Sequence, residues 1–171
     1  MNKLFIKNQS GLTLIEFILY VALLSALLLA LSGFYSLVLR NRVKAQTIAE
    51  VEQSGVQIVQ IISQSIRNAD AINSPSTGNN ATSLSLAVVN AGQNPTIFDL
   101  ASGVVRIKEG AANTVALSNG RVTVSNLIFY NASRASTPGI VSFQFTVTRL
   151  NNSGRNELDF SKTFYASAAL R

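Results

Sequence analysis

The pattern of apolar and polar positions divides this chain into a long apolar run, an amphipathic stretch and a series of short β-type segments. Phe17–Leu39 (FILYVALLSALLLALSGFYSLVL) is 23 residues without a single charge. As a helix rising about 1.5 Å per residue it covers roughly 30 Å or a little more, enough to cross the hydrocarbon core of a bilayer. Phe17 and Tyr20 sit near one end and Phe34 and Tyr35 near the other, where aromatic side chains suit a membrane interface. Beyond Arg40 the run becomes periodic. Ile48, Val51, Gly55, Ile58, Ile62 and Ile66 recur every three or four positions with Val59 beside them. Glu50, Glu52, Gln53, Gln57, Gln60, Gln64 and Arg67 take the other faces. This spacing predicts an amphipathic helix that continues the apolar one without a breaker and stops at Asn73-Ser74-Pro75. The two halves together make about 60 helical residues, on the order of 90 Å.

The remainder alternates with period two. Strands are expected at Ser83–Val89, Thr96–Leu100, Val104–Glu109, Arg121–Tyr130, Ile140–Leu150 and Glu157–Ala168. NAGQNP, SG, GAANT, SNG, NASRASTPG and NNSGRN lie between them as turns. Such short connections predict a mainly antiparallel sheet. Its apolar face needs a cover, and the Ile48–Ile66 stripe supplies one. The expected fold class is therefore α+β: one long N-terminal helix, with a transmembrane half over 12–39 and an amphipathic half over 40–72, the latter packed on a β-rich region over 73–171.

Composition sharpens this picture. Charged residues are only 13% of the chain, low for a globular domain and consistent with a membrane segment or a partner-covered surface. The formal charge of +6 suggests nucleic acid until it is mapped. Lys3 and Lys7 precede the apolar run, and Arg40, Arg42 and Lys44 follow it. Ala45–Arg171 then holds nine basic and seven acidic residues, a net of only +2. The basicity mostly flanks the membrane segment, where it suits lipid head groups.

The entry to the apolar run carries the most specific motif, Ser10-Gly11-Leu12-Thr13-Leu14-Ile15-Glu16, after the short basic stretch Met1–Gly11. Over about Ser10–Leu39 the chain resembles the type IV pilin family, whose signature is Gly, an apolar residue, Thr-Leu-(Ile/Leu/Val)-Glu and an unbroken apolar stretch. The resemblance implies that 1–11 is a leader removed by a prepilin peptidase cutting between Gly11 and Leu12. It also implies N-methylation of the new Leu12 amine, with Glu16 as the fifth mature residue. A carboxylate heading an apolar run costs a few kcal/mol in a membrane. In a stack of parallel helices Glu16 can pair with a neighbour's Leu12 amine, offsetting that cost and setting the stagger of subunits. As a solvated interfacial residue, it would instead help start the helix near its positive end.

Major pilins of that family usually have Pro at the position of Gly33 and often Gly at the position of Ser25, and many close with a disulfide, which this cysteine-free chain cannot form. These departures favour a minor pilin or minor pseudopilin. Ile66-Arg67-Asn68-Ala69 before Ser74-Pro75, Leu117–Val122 with Leu127-Ile128-Phe129, and Leu170-Arg171 loosely resemble J-type minor pseudopilins and W-type minor pilins. The resemblance implies anchoring in the cytoplasmic membrane with the β region outside, then a place among other pilin or pseudopilin subunits, in a periplasmic or extracellular filament.

Other chemistry finds little support. There is no His, no Cys and no G-x-S-x-G elbow, so an enzyme is not expected and no cofactor is implied. Ser161 and Lys162 adjoin on an expected strand and should face opposite ways. Asp70, Asp99, Glu109, Glu157 and Asp159 are scattered and form no calcium loop, although some pseudopilins bind calcium. Asn80-Ala81-Thr82, Asn131-Ala132-Ser133 and Asn151-Asn152-Ser153 match the glycosylation triplet at a rate that chance explains in so Asn/Ser-rich a chain. Two other readings stand beside assembly. One is a DNA-binding pilin using Arg134, Arg149, Arg155 and Lys162. The other is a secreted or signal-anchored β domain, with Ala30-Leu31-Ser32 as a signal-peptidase site, although the apolar run begins too far upstream of it and continues past it.

Overall fold

The computed structural model describes residues 13–134 and 137–171. The chain divides after Arg42 into two compact units. One helix, α1 (Leu14–Arg67), supplies the whole of the described first unit beyond Thr13 and enters the second. Among the described residues nine strands follow: β1 (Ala71–Ser74), β2 (Asn80–Ala81), β3 (Leu84–Ala87), β4 (Thr96–Ala101), β5 (Val104–Glu109), β6 (Val115–Ala116), β7 (Val122–Asn131), β8 (Ile140–Arg149) and β9 (Ser161–Ala169). The class is α+β, and every strand pair is antiparallel.

Two sheets form rather than one, in the orders β1-β3-β4-β5-β6 and β2-β7-β8-β9. The helix also ends earlier than Pro75 suggested. Ala69 N–H bonds back to Ile66 C=O at 3.2 Å in a tightened last turn, and Asp70 N–H then bonds Ala87 C=O at 2.8 Å, so Ala71–Ser74 enters the first sheet as β1. The last strand begins at Ser161 because Asn156–Leu158 forms a 3₁₀ turn first. The turn Ser102-Gly103 between β4 and β5 has φ of 51° and 76° at its two central residues, the two-residue geometry whose twist matches the strands it joins.

The predicted stripe is the buried face of α1 in the second unit. Val51, Ile58, Ile62 and Ile66 are fully buried, and Gly55 is buried with them. Ile48 is only half-buried; Thr47 takes its place inside and satisfies its hydroxyl by donating to Val43 C=O at 3.0 Å. On the sheets, Leu84, Leu86, Phe98 and Val105 meet Phe129, Phe143, Phe145 and Val147 in a single core around that stripe. Burying each such side chain is worth about 1.5–3 kcal/mol, so the isoleucine stripe is a major source of adhesion between helix and sheets. Along β8, Val141, Phe143, Phe145 and Val147 point inward, while Ser142, Gln144, Thr146 and Thr148 alternate with them.

Candidate functional site

The head of α1 is built by its own first residues. Thr13 C=O accepts the first helical hydrogen bond from Phe17 N–H at 3.1 Å, and Thr13 Oγ1 accepts from Glu16 N–H at 3.4 Å. Thr13 is thus the N-cap, and Thr13-Leu14-Ile15-Glu16 has the spacing of a capping box. The Glu16 side chain is engaged one turn onward: Tyr20 Oη donates to its Oε1 at 3.2 Å. A carboxylate in the first turn also meets the positive end of the helix dipole. Gly11 and Leu12, the expected cleavage and methylation positions, lie outside the described residues.

Behind this head, the large apolar side chains of Leu14–Leu39 are exposed apart from half-buried Val38. This is the one described helix near the N-terminus long and apolar enough to cross a membrane. Two of its serine hydroxyls are satisfied within the helix. Ser25 donates to Val21 C=O at 2.7 Å and Ser36 to Ser32 C=O at 3.0 Å, the arrangement that lets Ser sit in an apolar medium. The helix runs unbroken through Gly33, where an added Cβ would meet no atom of this chain within 4 Å.

The four cations singled out for DNA do not gather into one free surface. Arg149 is 17% exposed and turned onto the helix, its Nη1 2.5 Å from Glu50 Oε2 in an ion pair that lacks hydrogen-bond angles. Lys162 donates to Glu52 Oε1 at 2.7 Å and lies 5.5 Å from the centre of the Phe164 ring. Arg155 Nε is 3.6 Å from Glu157. Arg134 follows β7 in a separate loop. Among the described residues no three acidic, His or Cys side chains converge as metal ligands.

Sequence reasoning missed the partner of Glu16, although Tyr20 at i+4 is the spacing that signals it. It also missed Asn131. This residue is 3% exposed and donates from Nδ2 to Pro75 C=O at 2.7 Å. Its Oδ1 accepts from both the N–H and the hydroxyl of Ser133. A side chain so placed is a structural tie and not a glycan acceptor. Compared with models of protein families, with curated proteins and with solved structures, the chain has no match.

Proposed function

We propose that this chain is a minor pilin-like subunit, anchored in the cytoplasmic membrane and then incorporated at or near the tip of a type IV pilus or a type II secretion-like filament. The observation that carries the proposal is Glu16: an acidic side chain in the first turn of a helix whose next 23 residues carry no charge and expose their apolar side chains. Helix capping accounts for a carboxylate at a solvated helix start; a stack of parallel helices would in addition give it a charged partner. There it meets the free amine of a neighbour's Leu12 after a prepilin peptidase has cut at Gly11. The apolar surface then changes its environment from lipid to neighbouring helices with little change in polarity, so packing and the charged pair decide the stagger.

The β region supports this role by being a folded body carried on the same helix, free to meet other subunits or cargo. The function is assembly and not catalysis. The test is Glu16→Ala in a host with the filament machinery. Membrane insertion should be unchanged while recovery in the sheared filament fraction falls at least tenfold; equal recovery would remove the role assigned to Glu16.

A further inference from the structure

β9 is the outer strand of its sheet, and among the described residues no strand pairs with its other edge. Two hydrogen bonds set which groups face inward: Arg149 N–H to Phe160 C=O at 2.9 Å, and Leu170 N–H to Gly139 C=O at 2.8 Å. Antiparallel pairing alternates along a strand, so the even-numbered residues bond to β8. The N–H and C=O groups of Ser161, Thr163, Tyr165, Ser167 and Ala169 therefore point to the open edge. Among the described residues none of these groups makes a turn, cap or loop backbone hydrogen bond. Edge strands are commonly protected by an outward lysine or a proline. Here Lys162 is bound to Glu52 of the helix, and β9 contains no proline.

Beside the end of this edge lies a groove of about 930 Å³, with Gln60, Gln64 and Arg67 of α1 on one wall and Ser167 to Arg171 on the other. Among the described residues its charged side chains are Arg67 and Arg171, and no acidic side chain lines it. Among the described residues neither guanidinium has an ion-pair partner. We propose that the β9 edge and this groove bind an extended, acidic segment of another polypeptide by strand addition. The partner's backbone pairs with the odd-numbered residues of β9, and its carboxylates meet Arg67 and Arg171. The unpaired backbone groups supply directional affinity; the two guanidiniums supply the preference for acid. This site lies wholly in the unit from Val43 onward and does not depend on the leader, Glu16 or filament assembly.

The test uses the full chain in detergent micelles and two labelled nonapeptides, (Thr-Glu)4-Thr and (Thr-Lys)4-Thr, both built on a good strand former. Fluorescence anisotropy should give at least tenfold tighter binding of the glutamate peptide. Amide exchange should slow at Ser161, Thr163, Tyr165, Ser167 and Ala169. Ser167→Pro should abolish binding with unchanged circular dichroism, because that N–H is not part of the β8–β9 ladder. Should that variant unfold, Arg67→Gln combined with Arg171→Gln carries the test through an expected loss of at least tenfold in affinity. Equal affinity for the two peptides, absence of binding, or protection elsewhere would overturn the proposal. So would concentration-dependent self-association protecting the same amides without peptide, since the edge would then belong to a second copy.

Discussion

The ring of Phe164 on β9 occupies the space in which a side chain at Gly55 of α1 would begin: a Cβ built there overlaps the outer carbons of the ring. Phe164 stacks in turn on Phe145, with ring centres 5.5 Å apart, and Phe145 lies 6.4 Å from Phe143. The glycine thus lets an aromatic row reach from the sheet to the helix. Gly55→Leu should destabilise the protein by about 2 kcal/mol, since overpacking outweighs the better helix propensity. Adding Phe164→Ala should recover part of that loss. Urea denaturation of the wild type, the two single variants Gly55→Leu and Phe164→Ala and the double variant, in detergent micelles and followed by circular dichroism, measures both effects.

Glu50 holds two arginines, Arg149 of β8 at 2.5 Å and Arg121 of the turn before β7 at 2.9 Å. The Arg149 side chain is 17% exposed and that of Arg121 70% exposed, so the two pairs should differ in worth. Glu50→Ala leaves a partly buried guanidinium without its carboxylate and should cost about 2 kcal/mol, between the surface and the buried extremes. Arg121→Ala should cost less than about 0.5 kcal/mol. The same denaturation measurement separates them.

Asn131 ties the end of β7 to the segment after β1. Asn131→Ala leaves the Pro75 carbonyl without its donor and should cost about 2 kcal/mol. Thermal melting monitored by far-ultraviolet circular dichroism should show the lower transition temperature, with secondary structure retained below it.

Tyr20 orients the Glu16 carboxylate through one hydrogen bond. Tyr20→Phe removes that donor and keeps the ring. Membrane insertion should not change. Recovery in sheared filaments should fall about threefold, as expected for a net contribution near the low end of a single hydrogen bond, and by less than for Glu16→Ala. Quantitative immunoblotting of membrane and filament fractions gives both numbers.

The parts of this fold written in local periodicity were legible from the sequence. The stripe from Ile48 to Ile66 announced the covering helix, although Thr47 is buried in place of Ile48, and Phe143, Phe145 and Val147 announced an inward strand face. What escaped notice depends on residues far apart. The two-residue strands β2 and β6 are too short to show a period and exist through their partners β7 and β5. Ala71–Ser74 resembles the tail of a helix until Asp70 finds Ala87. The division into two sheets follows from strand order, which no local pattern encodes. Arg149 looked available to a ligand because its partner, Glu50, lies on α1 rather than on its own strand. At the candidate site, the motif marks Glu16, while Tyr20 reads in the sequence only as an interfacial aromatic and not as the donor to its carboxylate.

Processing between Gly11 and Leu12 is the central expectation, and one measurement addresses it directly. The chain is expressed in a host carrying a prepilin peptidase, and its mature N-terminus is determined by sequencing with intact-mass spectrometry. The account predicts an N-terminus at Leu12 bearing one added methyl group, and loss of that processing in a peptidase-deficient strain. A chain that retains Met1 through Gly11, or one that begins at Gly33 after a signal-peptidase cut, would contradict it.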